Sequence, residues 1–318
     1  MVRTCLWLLL FSWLSAPAFA TALAPGVHWV QGTYAPPRQP DGNSLLFETP
    51  GGWLVVDSGR HPAHARAVLA AAHGRPLRAL LNTHWHLDHV GGNPALRAAA
   101  PDLRVYASPA IDGALGGFLA DYAAQLRTLL AREPGAPAAA DWRAELARIE
   151  QGEALRPDRS LRGDTVLVVG GREFRVGFAA AATEGDLWVF DPASGVLAAG
   201  DLVTLPAPFF DTACPERWRA ALDRLEATPF TRLVPGHGAP MDRAGFSAWR
   251  EAFGRLLDCA ASDTPEAACI AGWQADAQSL LPDVAARQQA AGLLAYYLPT
   301  VLRNPATANR CGVSAPAA

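Results

Sequence analysis

Thr83-His84-Trp85-His86-Leu87-Asp88-His89-Val90-Gly91-Gly92 decides how the rest of the chain is read. Four candidate ligands fall within six residues, and they include three of the chain's eight histidines. The run 77–82 just before them is apolar and of strand length, so the cluster reads as a loop leaving a buried strand. His84 and His86 are two apart and can clasp one ion from one side of an extended turn. Asp88 and His89 then point away and can hold a second. Imidazole with carboxylate suits zinc or iron. Gly91-Gly92 lets the backbone turn closely into the next helix. A coincidental histidine-rich surface loop is the competing reading, and so tight a clustering argues against it.

Working outward, upstream segments 28–34, 44–48 and 53–56 read as strands, the last two joined at Pro50-Gly51-Gly52. A helix is predicted over 62–73, stopped by Gly74. Downstream come a helix over 94–100 and a strand over 105–107. Residues 111–151 are helical and Ala/Leu-rich, broken at Pro134-Gly135-Ala136-Pro137. The period then changes to two, giving strands at 165–169, 173–178, 186–190 and 195–199. A helix over 215–227, a strand over 231–234 and helices over 243–259 and 282–297 complete the pattern. Strands with helices, twice over, suit a two-sheet core with helices outside.

The chain has 318 residues, 50% hydrophobic and 18% charged, which buries a full core and excludes wholesale disorder. Every basic side chain is arginine. The 27 basic groups against 30 acidic ones give a net charge of −3. No basic block runs along the chain, so no nucleic-acid partner is expected. Residues 1–20, MVRTCLWLLLFSWLSAPAFA, read as a secretory signal peptide. Arg3 is the positive start, Leu6 to Leu14 the apolar run and Ala18-Phe19-Ala20 the cleavage site. No membrane span is expected after its removal, and the protein is expected to be exported, periplasmic or secreted. Four cysteines remain, which suggests two disulfides. Cys259 and Cys269 flank a loop-like AASDTPEAA and are paired, which leaves Cys214 with Cys311. The sequence does not set the oligomeric state.

The His-x-His-x-Asp-His loop resembles the hallmark of the metallo-β-lactamase fold superfamily, and the resemblance runs over residues 27–245. It implies an α/β fold, an αββα sandwich over 21–255, with a helical, disulfide-braced extension over 256–318. It also implies roles. Asp57, in Val55-Val56-Asp57-Ser58-Gly59, would fix a ligand histidine. Asp201, in Ala199-Gly200-Asp201, would bridge two ions. His237, in Val234-Pro235-Gly236-His237, would be the last ligand. The implied metal set is His84, His86, Asp88, His89, Asp201 and His237, with Asp88 and Asp201 also orienting the nucleophile.

One position departs from the family pattern. Before Thr183-Glu184-Gly185-Asp186 the family has a histidine, and here stands Ala182. Thr183 matches and is expected to support the site. The first site is left with His84, His86 and Asp201, while the second keeps Asp88, His89, His237 and Asp201. One zinc is therefore expected to bind firmly and a second weakly, with iron the lesser expectation. His61 and His64 are read as helix-surface residues.

The resemblance implies hydrolysis of an ester, thioester or lactam bond in a small-molecule substrate, by a hydroxide that the metal makes available at neutral pH. The alternative is a catalytically impaired family member that binds metal or ligand without efficient turnover. A third is an iron enzyme of oxygen or sulfur chemistry on the same ligands. In layout the chain is similar to periplasmic metallohydrolases of the SoxH-like or quinoprotein-associated type. Trp85 and the run Pro206-Ala207-Pro208-Phe209-Phe210 are expected as pocket walls, and residues 115–140 as a lid.

Overall fold

Runs of alternating and continuous apolar residues form two sheets that face each other. The computed structural model describes residues 20–36 and 38–306. The first sheet orders β1 (Ala20–Ala24), β2 (Val27–Val30), β3 (Ser44–Thr49), β4 (Gly52–Val56), β5 (Leu77–Leu81), β6 (Arg104–Ala107) and β7 (Arg159–Ser160) side by side. Its first four strands pair antiparallel, and pairing from β4 onward is parallel. The second sheet runs β12 (Arg232–His237), β11 (Val196–Thr204), β10 (Asp186–Asp191), β9 (Arg172–Ala179) and β8 (Thr165–Val169), with only β11–β12 parallel.

Alternate residues of each sheet meet in between. Leu45, Phe47, Leu54, Val56 and Leu81 of the first pack on Leu167, Phe174, Val176, Leu187 and Val189 of the second. The Phe47 and Phe174 rings cross edge to face at 5.5 Å. Burying each such ring contributes about 1.5–3 kcal/mol. The outer faces are covered by helices. α1 (Pro62–Ala71) and α3 (Asn93–Ala99) lie on the first sheet. On the second lie α8 (Pro215–Ala227), α9 (Arg243–Ala260), α10 (Glu266–Asp276) and α11 (Val284–Tyr297). α8 shows why: Trp218, Ala221, Leu222 and Leu225 recur at helical spacing and are all buried. This is the expected αββα sandwich.

Between β6 and β7 the chain adds α4 (Ala110–Gly116), α5 (Phe118–Arg132), α6 (Ala139–Glu150) and α7 (Gly152–Leu155). Their apolar faces close on Trp85, Leu87 and Val90, the last two from the one-turn helix α2 (Leu87–Val90). This insert therefore sits on the histidine loop, where a lid was expected.

Several expectations are corrected. AASDTPEAA is not all loop: α10 starts at Glu266 directly after Pro265, and Cys269 lies on that helix. The last long helix begins at Val284, because the Asp283 side chain caps it by accepting from the Ala286 amide. The expected boundary at 255 falls inside α9, and α8–α11 share one core with the second sheet. His61 and His64 are not on the helix surface. Both are buried, His61 against the Gln39 carbonyl and His64 against the Ser44 hydroxyl.

The Cys259–Cys269 disulfide is present. Cys214 is also disulfide-bonded, and Cys311, the partner expected for it, lies outside the described residues. The expected leader lies outside them too, except Ala20, which opens β1. Among the described residues no helix is long and apolar enough to cross a membrane.

Candidate metal centre

The centre lies where β4, β5, β11 and β12 deliver their C-terminal ends to one edge of the sandwich. β5 runs into Thr83, and the loop places His84, His86, Asp88 and His89 within its next eight residues. Asp201 comes from β11, just after an irregularity in register at Gly200. His237 is the last residue of β12. Gly236 is required beside it: a Cβ there would stand 1.9 Å from Asp201 Oδ1. Only a residue without a side chain lets the two strands bring Asp201 and His237 together.

Two donor groups form. His84, His86 and Asp201 make one, and Asp88, His89 and His237 the other; within each, the ligand atoms lie within 4.8 Å of one another. Asp201 serves both. Its Oδ2 faces His84 Nε2 at 3.6 Å and His86 Nδ1 at 3.9 Å. Its Oδ1 faces His89 Nε2 at 3.3 Å and His237 Nε2 at 3.6 Å. Asp88 Oδ2 closes the second group, 2.9 Å from His237 Nε2. All six residues expected as ligands are thus brought together. Ala182 is buried nearby and offers no donor atom.

The surroundings orient the imidazoles. Asp57 sits at a positive φ of 59°, a conformation that costs free energy for a residue with a Cβ. That turn aims its carboxylate inward. Oδ1 accepts from the Thr83 amide at 2.7 Å, and Oδ2 accepts from the Thr83 hydroxyl at 2.7 Å. His89 Nδ1 is 2.8 Å from the same Oδ2, so Nδ1 carries a hydrogen and Nε2 is the nitrogen left to face Asp201 and a metal. Thr83 has spent its hydrogen on Asp57, so at 3.0 Å it accepts from His84 Nδ1. His84 Nε2 is then the free lone pair.

His86 is set by a residue that sequence reasoning missed. The Thr212 hydroxyl donates to the Ala182 carbonyl at 2.9 Å and so must accept from His86 Nε2 at 3.0 Å. His86 Nδ1 is left bare towards Asp201. Thr183 does not act as expected: its amide and hydroxyl bond Asp186, and its hydroxyl also accepts from Gly185. It shapes the turn that carries Ala182.

The donors fit a divalent cation. His84 Nε2 and Asp201 Oδ1 are buried without a hydrogen-bond partner, the state of a group reserved for a metal. Burial, with His89 and His86 repelling, holds His84 well below the ordinary imidazole value and hence neutral. Burial opposes the charge on Asp88, yet His89, His237 and Arg60 hold its carboxyl well below the usual range. Burial opposes charge on His89 too, but Asp201, Asp57 and Asp88 hold it well above the ordinary value. The same negative potential that draws a proton there draws a cation.

Behind Asp88 stands Arg60, also unforeseen. Its Nη2 faces Asp88 Oδ1 at 3.5 Å, and its Nη1 donates to Glu145 Oε2 at 2.6 Å. Glu145, on α6, also binds Arg148. A helix of the insert is thereby tied through one guanidinium to a carboxylate of the candidate ligand set. Above the ligands a cavity of about 430 Å³ opens, walled by Trp85, Phe209 and Phe118 of α5 and by Leu293 of α11. Of the run 206–210 expected as a wall, Pro206, Ala207 and Phe209 line the cavity, and Phe210 is instead fully buried in the core.

A family model described as the metallo-beta-lactamase superfamily matches residues 38–237. The chain belongs to the metallo-beta-lactamase superfamily. Within this superfamily it is similar to a hydroxyacylglutathione hydrolase of Thermosynechococcus vestitus, 54% identical over 56 residues, 17% of this chain and 21% of that one. It is also similar to an atrochrysone carboxyl ACP thioesterase of Aspergillus fumigatus, 39% identical over 83 residues, 25% of this chain and 24% of that one. The chain thus spans only about a quarter or less of the length of these curated relatives. Among solved structures, a metallo-beta-lactamase from Pontibacter korlensis shares the fold with a TM-score of 0.51 and 22% identity, over 72% of this chain and 94% of that one. A stereoselective inverting sec-alkylsulfatase from Pseudomonas sp. shares it with a TM-score of 0.59 and 18% identity, over 91% of this chain and 51% of that one.

Proposed function

We propose that the chain is an exported, zinc-dependent hydrolase of ester or thioester bonds. The observation that carries this is the division of Asp201, one carboxylate oxygen to each of two donor groups. Nitrogen and oxygen ligands in these numbers suit zinc. Zinc held there supplies Lewis acidity and makes water a nucleophile at neutral pH. Asp88, His89, His237 and Asp201 are the firmer ligand set. His84, His86 and Asp201 are the weaker, for want of a donor at Ala182.

The protein's own residues do the rest. Asp88 and Asp201 present carboxylate oxygens at the cavity floor, where they orient the attacking water. Trp85 and Phe209 exclude bulk solvent above them, which strengthens every electrostatic interaction at the floor. The thioester reading is supported by the names of the curated relatives, hydroxyacylglutathione hydrolase and ACP thioesterase. The leader-like residues 1–20 and the Cys259–Cys269 disulfide support an oxidising compartment outside the cytosol.

The test is hydrolysis of an activated thioester by protein purified without chelator, with its metals counted by plasma mass spectrometry. Turnover lost in Asp88→Ala and about one or more zinc per chain is the expected result. Equal turnover in Asp88→Ala would sink the reading. Zinc retained without turnover of any ester or thioester would favour the binding protein that Ala182 suggests.

A further inference from the structure

The cavity's floor and its walls differ in chemistry. Carboxylates and imidazoles occupy the floor, while Trp85, Phe118, Phe209 and Leu293 make apolar walls interrupted by the neutral polar side chains of Thr33, Gln39 and Gln289. Two exposed aromatic side chains, Tyr34 and Phe118, form the lip, 51% and 46% exposed. Outside the ligand set, Arg60 is the one cation among the described residues that line the cavity. It is already engaged by Glu145 and Asp88, and its Nε is buried out of reach of solvent. The carboxylate of Asp41, which also lines the cavity, is likewise spent. It accepts from the Arg60 and His61 amides and from the Thr33 hydroxyl.

A charged carrier meets no free opposite charge on such walls, only neutral groups such as Thr33, Gln39 and Gln289. Glutathione brings two carboxylates and an ammonium, and each would lose water with no opposite charge free to pair it, a cost of several kcal/mol per group. An alkyl chain on the same walls is favoured by roughly 0.8 kcal/mol for each methylene buried. We propose that this cavity takes an uncharged, apolar acyl ester or thioester and discriminates against a glutathione carrier. This rests on the hydrolase reading above. It departs from the substrate that most of the similar curated proteins are named for.

The test compares kcat/KM of the zinc-loaded enzyme for three thioesters: octanoyl-N-acetylcysteamine, acetyl-N-acetylcysteamine and S-octanoylglutathione. The first isolates chain length against the second and carrier charge against the third. It is expected to exceed each by about tenfold or more. Leu293→Arg, which places a cation in the wall, is expected to narrow the gap between the two octanoyl thioesters. A glutathione thioester turned over as well as the neutral one, or acetyl as well as octanoyl, overturns the proposal. A binding measurement separates the pocket from the chemistry. The neutral dye Nile red is expected to bind saturably in wild type and in Asp88→Ala, to be displaced by octanoyl-N-acetylcysteamine, and to bind more weakly in Phe118→Ser. Saturable binding with no turnover of any thioester overturns the hydrolase reading and leaves the pocket inference standing. Absence of saturable binding overturns the pocket inference.

Discussion

The Thr212 hydroxyl stands 3.0 Å from His86 Nε2 and decides which nitrogen of that ring carries hydrogen. Its own hydrogen goes to the Ala182 carbonyl, so the imidazole has to donate. Thr212→Val keeps the shape and removes the acceptor. Zinc affinity of the His84, His86 and Asp201 group is expected to fall by about 10–100-fold, with the other group unchanged. Competition against a chromogenic chelator reads both. Two unchanged affinities would mean that Thr212 has no hold on the ring.

Ala182→His tests the missing donor directly. The Thr212 bond is made to the backbone carbonyl of position 182, so it survives the change of side chain. Fitting an imidazole at a buried site costs about 1–3 kcal/mol of stability. In exchange, metal content is expected to rise towards two per chain when counted by plasma mass spectrometry. A folded variant with unchanged metal content would show that the first group lacks something other than this ligand.

Glu145 is buried on α6 between Arg60 and Arg148. Removing it leaves two cations facing each other with poor access to water. Glu145→Ala is expected to cost about 3–5 kcal/mol in urea unfolding. Limited proteolysis is expected to cut first between α5 and α6, because the tie from lid to floor is gone. A variant as stable and as protease-resistant as wild type contradicts this role.

His64 makes stability depend on pH. Burial, offset by Asp41 but reinforced by His89, His61 and His237, pushes its pKa from 6.5 down to about 4. Between those values the unfolded chain binds a proton that the folded chain refuses. Its contribution is therefore fully present above pH 6.5 and is lost as pH falls towards 4. The loss is on the order of 3 kcal/mol. Chelator-treated His64→Gln is expected to show a flatter fall in urea midpoint between neutral and acid pH than chelator-treated wild type. Parallel falls would remove His64 from the acid limb.

The ligands were readable because they sit in contiguous turns at strand ends, where residue type and spacing carry the information. The supporting groups were not. Thr212 lies 126 residues from His86, and Glu145 lies 85 residues from Arg60. Only the folded chain makes either pair neighbours. An acid in an Ala/Leu-rich helix reads as a solvated face until its partner is known. His64 failed similarly, since a histidine in a short helix looks the same in sequence whether it meets water or Ser44. α10 was hidden by Ser262, Asp263, Thr264 and Pro265, turn formers that here precede the helix instead of filling the gap. β1 was hidden because its first residue was assigned to the leader.

Two of the cavity walls are encoded apart from its floor. Phe118 belongs to the insert between β6 and β7, and Leu293 to a helix beyond the last strand, whereas the ligands sit on the sandwich itself. Changes at Phe118 and Leu293 can reshape the walls while every proposed ligand stays in place on the sandwich. In this architecture, a change of diet needs no change of engine.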